Sequence, residues 1–123
     1  MFEHSTPFSG FAVDDVAAAK RFYGETLGMD VSEEHGMLRL HIGEETDILV
    51  YPKPDHTPAS FTILNFPVAD IDQAVAELTR RGVTFERYES FELDAKGIFR
   101  GGGPLIAWFT DPAGNVLSVL QEA

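Results

Sequence analysis

The chain alternates between two hydrophobic patterns, one with the period of a helix and one with the period of a strand. Val16, Ala19 and Tyr23 are three to four residues apart, which predicts an amphipathic first helix. Ile71 and Val75 begin a second pattern of the same kind. After each helix, alternating or continuous apolar residues indicate strands. These predicted strands are Met29–Glu33, Met37–Ile42, Thr46–Tyr51, Thr84–Tyr88, Leu105–Thr110 and Val116–Gln121.

The two helical patterns belong to an internal repeat. The stretch "FSGFAVDDVAAAKRFYGETLGMDV" and the stretch "ILNFPVADIDQAVAELTRRGVTF" align with an offset of about 55 residues. Each begins with an apolar strand, and then Asp15 or Asp70 stands where a helix N-cap belongs. Gly28 and Gly82 stand where each helix is expected to end. The pattern is therefore βαβββ twice, which predicts an α+β fold.

With 123 residues, the chain is expected to form one domain over residues 5–123, with modules at about 7–52 and 60–121. The linker "YPKPDHTPAS" is rich in proline, which discourages regular structure. The second module contains a long insertion, "ESFELDAKGIFRGGG", over residues 89–103. Such a loop is either a functional lid or poorly ordered, and Asp94, Lys96 and Arg100 are its candidate lid residues.

The composition narrows the classes of function. The formal charge is −11, from 20 acidic and 9 basic residues, and such a surface repels nucleic acid. Its simplest role is solubility, and a second is attraction of a cationic small molecule. No apolar run approaches the roughly 20 residues that span a membrane, and the N-terminal residues do not resemble a secretion signal. The absence of cysteine excludes thiolate chemistry and makes the cytoplasm the expected location.

The duplicated βαβββ pattern, with "VDD…AAKRFYGETLG" and "WFTDPAGN", resembles the glyoxalase/bleomycin-resistance/extradiol-dioxygenase superfamily, also called the vicinal oxygen chelate fold. The resemblance covers nearly the whole chain. It implies two cupped mixed β-sheets with the helices outside, facing each other around a pocket for a small organic molecule. It also implies a homodimer, although the pocket can close within one chain or across a dimer axis.

Metal-using members of this superfamily carry His, Glu or Gln on the first and last strands of each module. The resemblance places these positions at Phe8, Ile48, Ile63 and Ser118. Three hydrocarbons and one neutral hydroxyl are poor ligands for a divalent ion, so no metal and no other cofactor is expected. The alternative is a relocated site, for which only His41 among the histidines lies on a predicted strand that borders the pocket.

Strand alternation and the resemblance together predict a mostly apolar pocket with a few polar groups, as is typical of sites for organic ligands. Phe11, Val13, Leu117 and Val119 are expected to pack beneath the helices instead. The predicted pocket residues are Phe8, Arg39, His41, Ile48, Val50, Ile63, Asn65, Trp108 and Ser118.

Three functions fit these features. The first is a metal-independent protein that binds a small molecule, aromatic or cationic, and sequesters a drug or metabolite. The second is a glyoxalase-like lyase or isomerase, or a dioxygenase-type enzyme, in which His41 or Asp94 moves protons without a metal. The third is an accessory module that a ligand stabilises. Fold alone does not decide among them.

Overall fold

A computed structural model describes residues 1–122, so the predicted domain end at residue 123 lies outside the described residues. Contacts divide the chain into two compact units, Met1–His56 and the residues from Thr57 onward. The strands are β1 (Ser9–Val13), β2 (Asp30–Glu34), β3 (Met37–His41), β4 (Asp47–Pro52), β5 (Thr62–Pro67), β6 (Leu105–Thr110) and β7 (Val116–Gln121). The helices are α1 (Val16–Arg21), which continues into a π-helical turn (Phe22–Thr26), and α2 (Ile71–Arg80).

Both helices begin as the sequence predicts. The carboxylate of Asp15 accepts a hydrogen bond from the backbone N–H of Ala18 (3.0 Å), and that of Asp70 accepts one from Gln73 (3.1 Å). These bonds satisfy N–H groups that have no partner within the helix. No helix in the described part of the chain is long and apolar enough to cross a membrane.

The two sheets repeat one topology, which confirms the α+β fold of two modules. In the first unit the strand order is β1-β4-β3-β2, with β1 parallel to β4 and the other pairs antiparallel. In the second unit the order is β5-β7-β6, with β5 parallel to β7 and β6 antiparallel to it. The second sheet thus repeats the first three positions of the first one.

The predicted strand Thr84–Tyr88 is wrong. Only Phe85 forms a β-bridge, with Phe109 on β6, and the N–H of Glu86 adds one bond to the carbonyl of Trp108 (2.7 Å). Beyond that point Arg87 donates to the carbonyl of Asp94 (2.6 and 3.0 Å), and a turn follows at Tyr88–Phe91. The chain leaves the β6 edge after Glu86 and returns to it at Phe99, which forms a β-bridge with Ile106 (2.7 and 3.2 Å between N and O).

Each sheet has a helix face, which packs against its helix, and an opposite helix-free face. In the first unit the ring of Phe11 contacts Tyr23 of the π-helical turn (5.7 Å between centroids), and Phe11 is paired with Val50 on β4. Val13 is 1% exposed. In the second unit, Leu117 and Val119 are buried. The predicted core positions are thus confirmed, and burial of each large apolar side chain contributes about 1.5–3 kcal/mol to folding.

The predicted pocket positions Ile48 and Val50 are corrected by this geometry. Val50 lies across from Leu38 and Ile48 across from Leu40, and all four side chains are at most 6% exposed. Because directly paired residues share a face, Ile48 and Val50 lie on the helix face, beneath α1. Leu49 lies on the helix-free face instead.

Candidate functional site

A hairpin places polar side chains on the helix-free face of the first unit. Its turn consists of His35 and Gly36, both with positive φ (55° and 77°), as a two-residue turn of type I′ requires. This turn sets the register that pairs Ser32 with Arg39 and Asp30 with His41. Ser32, Arg39 and His41 therefore point to the same side of the sheet.

His41 lies in the middle of a hydrogen-bonded chain. Its Nδ1 is 2.7 Å from Oδ1 of Asp47, and its Nε2 is 2.9 Å from Oγ of Ser32. An ionised carboxylate only accepts, so Nδ1–H donates to Asp47; in the neutral ring Nε2 is then left to accept from the Ser32 hydroxyl. The side chains of His41 and Asp47 are 31% and 29% exposed, so the chain is half-buried and reachable from solvent.

Arg39 lies next to this chain and extends the site towards Phe8. Its Nη1 is 3.8 Å from Oδ2 of Asp47, and its guanidinium lies 5.9 Å from the centre of the Phe8 ring. Phe8 is 59% exposed. A small pocket of about 250 Å³ is lined by Phe8, Arg39 and Asp47 together with Thr6, Pro7, Glu45 and Thr46. The predicted residues Phe8, Arg39 and His41 are thus brought together on one face.

The helix-free face of the second unit carries a neutral polar pair. The Ser118 hydroxyl donates to Oδ1 of Asn65 (2.6 Å) across the parallel pair of β5 and β7. Ser118 is fully buried, whereas Asn65 is exposed. Ile63 is the extra residue of a β-bulge between Thr62 and Leu64, so no cross-strand partner assigns its side chain to a face.

Trp108 lies on the same face, because it is paired with Ser118, and it is part of an aromatic cluster. The Phe91 ring is stacked on it (5.1 Å, 14° between planes), and the Tyr88 ring meets it edge-on (5.6 Å). Phe99 packs edge-on against Phe91 (5.3 Å). Burial raises the pKa of the Tyr88 hydroxyl, so this ring is neutral at physiological pH.

The candidate lid residues form an ion-pair network with α2. Oδ1 of Asp94 accepts from the N–H groups of Lys96 and Ile98 (both 2.9 Å), and its Oδ2 accepts from Nε of Arg100 (2.9 Å). Arg100 and Lys96 also bind Oδ1 of Asp72 on α2 (2.8 and 3.2 Å). Hydrogen bonds from Arg100 and then Lys96 lower the pKa of Asp72. A lid movement would have to break these contacts.

A groove of the second unit lies away from the predicted pocket. It has a volume of about 570 Å³ and runs between α2, at Val75, Ala76 and Thr79, and the segments 83–87 and 95–97. Since α2 packs on the helix face, this groove lies on the opposite side of the sheet from Asn65 and Trp108.

The strand register also revises the metal-ligand positions that the resemblance implies. Asn65 pairs with Ser118, and its repeat counterpart Gly10 pairs with Leu49. Leu49 rather than Ile48 is thus the first-unit equivalent of Ser118, and it is again a hydrocarbon. No group of three or more His, Cys, Asp or Glu side chains is placed to hold a metal ion within residues 1–122. The side chains at these positions do not fit a divalent ion.

Sequence reasoning missed four participants: Ser32, Asp47, Tyr88 and Phe91. The two-residue turn "HG" carries a usable signal for Ser32, because counting outward from it pairs Ser32 with Arg39. Asp47 was missed because the predicted register of β4 placed Ile48 and Val50 on the pocket face, and therefore Asp47 on the opposite one. Tyr88 and Phe91 carry no local signal, since their contacts depend on the path of the insertion.

Comparison with known proteins agrees with this fold. The sequence profile of the Glyoxalase/Bleomycin resistance protein/Dioxygenase superfamily matches residues 4–119. No curated protein matches the sequence. Among solved structures, an antibiotic binding protein, TnmS3 from Streptomyces sp. CB03234, is 26% identical with a TM-score of 0.70, and the match covers 98% of each chain.

Two further structures are similar to this chain over nearly its whole length. A glyoxalase/bleomycin resistance protein, also from Streptomyces sp. CB03234, is 27% identical with a TM-score of 0.63, covering 94% of this chain and 100% of that one. A glyoxalase family protein from Enterococcus faecalis is 22% identical with a TM-score of 0.69, covering 98% and 99%. The profile match, the repeated βαβββ topology and these structures agree. The chain belongs to the glyoxalase/bleomycin resistance protein/dioxygenase superfamily.

Proposed function

We propose that this chain is a metal-independent protein that binds a small aromatic molecule on the helix-free face of its second unit. The observation that carries the proposal is the Ser118–Asn65 hydrogen bond of 2.6 Å. The resemblance implies that Ser118 stands at a position where metal-using members of the superfamily carry His, Glu or Gln. A neutral hydroxyl and amide bind hydrogen-bonding groups of an organic molecule far better than they bind a divalent ion.

The two members of this pair have different roles in the proposal. Ser118 is buried and its hydroxyl engages Oδ1 of Asn65, which turns the amide –NH₂ group of Asn65 away from Ser118. Asn65 is exposed, so its –NH₂ group donates to a ligand carbonyl or hydroxyl. Ser118 positions Asn65 and does not itself contact the ligand.

The aromatic cluster supplies the apolar part of the proposed site. Phe91 is 42% exposed while its ring is stacked on Trp108, so an added planar ring can extend the cluster. The resemblance to an antibiotic binding protein supports a drug or a drug-like metabolite as the ligand. The charge of −11 favours a cationic ligand among aromatic ones. Sequestration in the cytoplasm by a homodimer is part of the proposal.

Two measurements on purified protein test it. Elemental analysis should find no stoichiometric zinc, nickel, iron or manganese, and about one equivalent per chain would overturn metal independence. Trp108 is the single tryptophan, so its fluorescence reports on the site directly. Titration with bleomycin and with an anthraquinone should quench this fluorescence saturably. If neither these nor other aromatic compounds do so, the proposed site is wrong.

Variants in the second unit separate binding from folding. Asn65→Leu should lower the affinity for the ligand that quenches Trp108 fluorescence about tenfold, which corresponds to the loss of one hydrogen bond of about 1.4 kcal/mol. Ser118→Ala should lower this affinity less, because the Asn65 amide remains but loses its fixed orientation. Gln73→Ala, on the exposed side of α2, is the matched control and should leave affinity unchanged. If Asn65→Leu and Gln73→Ala bind the ligand with equal affinity, Asn65 does not contribute to the binding site.

A further inference from the structure

We infer that the helix-free face of the first unit carries an acyl-transfer site, with Ser32 as nucleophile, His41 as general base and Asp47 as the residue that positions His41. This inference is independent of the proposed ligand-binding function. It rests on the two hydrogen bonds of His41, 2.9 Å to Oγ of Ser32 and 2.7 Å to Oδ1 of Asp47. A nucleophile, a base within hydrogen-bond reach and a third group that orients the base form the arrangement that activates a serine.

The geometry meets the chemical requirements of each member. Asp47 accepts from Nδ1–H and so holds the ring in the tautomer whose Nε2 is free to take a proton from Ser32. Ser32 is exposed, so a substrate can reach its hydroxyl. All three side chains come from neighbouring strands, β2, β3 and the start of β4, and backbone pairing holds their spacing.

Arg39 and Phe8 define the substrate class. Arg39 is paired directly across from Ser32, and its guanidinium lies beside Asp47 (3.8 Å from Oδ2) and the Phe8 ring (5.9 Å), where it can donate to a polar group of the substrate. Phe8 forms an exposed aromatic wall of the adjoining pocket of about 250 Å³. Glu45 and Asp47 line the same pocket and disfavour anions. A small neutral ester with a flat apolar group fits these surroundings.

The reaction has two balanced steps. Oγ of Ser32 attacks the ester carbonyl as Nε2 of His41 takes its proton; the bond between the carbonyl carbon and the alcohol oxygen breaks, and His41 returns the proton to the leaving alcohol. Water then attacks acyl-Ser32 while His41 takes a proton from it. The bond between the acyl group and Oγ breaks, Ser32 regains its proton, and a carboxylic acid leaves.

Labelling with a fluorophosphonate, followed by peptide mass spectrometry, tests the inference on the full chain. We expect one adduct, on Ser32, and slow hydrolysis of p-nitrophenyl acetate. Since a general base contributes about 10²- to 10⁴-fold, His41→Gln and Asp47→Asn should each lower the labelling rate at least about tenfold. Ser9→Ala is the matched control, because Ser9 pairs with Ile48 and lies on the helix face of the same sheet.

Three results would overturn the inference. One is the absence of an adduct on Ser32 in the wild-type chain. Another is an unchanged labelling rate in His41→Gln whose circular dichroism spectrum matches that of the wild type, since the hydrogen bond would then be structural only. The third is an acetyl group on His41 instead of Ser32 after reaction with p-nitrophenyl acetate, which would make the imidazole itself the nucleophile.

Discussion

Asp111 holds the turn that leads into β7, and with it the position of Ser118. The residue is 3% exposed, and its Oδ1 accepts from the N–H groups of Ala113 and Asn115 (both 2.9 Å). Its Oδ2 accepts from the side-chain amide of Asn115 (3.0 Å). A buried carboxylate is stable only when such donors replace its water, so this residue and its turn depend on each other.

Replacing Asp111 by Ala should therefore destabilise the fold strongly. The change removes these bonds and leaves buried N–H groups without an acceptor, which costs about 2–4 kcal/mol in the free energy of unfolding. Urea denaturation measures it. Asp14→Ala, at an exposed position, is the control and should change stability by less than about 0.5 kcal/mol. A similar small change in Asp111→Ala would contradict the role given to the turn.

At the scale of single elements, β4 shows how much depends on register. Ile48 and Val50 pack beneath α1, and Asp47 and Leu49 lie on the other face, where Asp47 reaches His41. A shift of one residue exchanges these two sets completely, because side chains alternate along a strand. The same register makes Leu49 the counterpart of Ser118.

Truncating adjacent β4 residues tests this assignment. Ile48 is 6% exposed on the helix face, so Ile48→Ala should cost about 2–4 kcal/mol in unfolding free energy. Leu49 is only partly buried on the opposite face, so Leu49→Ala should cost clearly less. Chemical denaturation of the pair measures the difference. A larger loss of unfolding free energy in Leu49→Ala than in Ile48→Ala would show that Leu49, and not Ile48, lies on the helix face.

Helix α2 carries a second prediction, on pH. The hydrogen bond from Arg80 lowers the pKa of Glu77 to about 2, with a smaller contribution from Arg81. A lowered folded-state pKa stabilises the fold above the ordinary pKa of 4.5, and this contribution is lost as pH falls towards 2. Glu77→Gln should therefore be less stable than wild type at pH 7 and equal to it near pH 2. Thermal melts across this range measure it; because the pair is exposed, high salt should reduce the difference.

At the scale of the whole molecule, the charge of −11 is the dominant feature. Such a field attracts cations from solution and is screened by salt over about 10 Å at 0.1 M ionic strength. It acts on any charged ligand, wherever on the surface that ligand binds.

The affinity for a cationic aromatic ligand should thus depend on salt. Raising sodium chloride from about 0.05 M to about 0.5 M should lower the affinity for a cationic aromatic compound several-fold, because salt screens the attraction. The affinity for a neutral aromatic compound should stay nearly unchanged. Trp108 fluorescence titrations at each salt concentration measure both. Equal salt dependence of the two compounds would show that the negative charge serves solubility alone.

The sequence by itself determined the features that depend on neighbouring residues. Asp15 and Asp70 cap their helices as predicted, and Gly28 and Gly82 take the positive φ (72° and 93°) expected at the two helix ends. The repeated pattern of strands and helices identified the fold, since local propensity and hydrophobic period agree in both copies.

Only the tertiary structure decided which side chains meet. The register of β4, the path of the backbone away from β6 after Glu86 and the hydrogen bonds that join Ser32, His41 and Asp47 all depend on partners distant in sequence. A slip of one residue along a strand preserves local propensity almost unchanged but moves each side chain to the other face of the sheet. For this reason the hydrophobic pattern of the sequence predicted the helices and strands, whereas packing against α1 and α2 determines which residues lie on each face of the sheets.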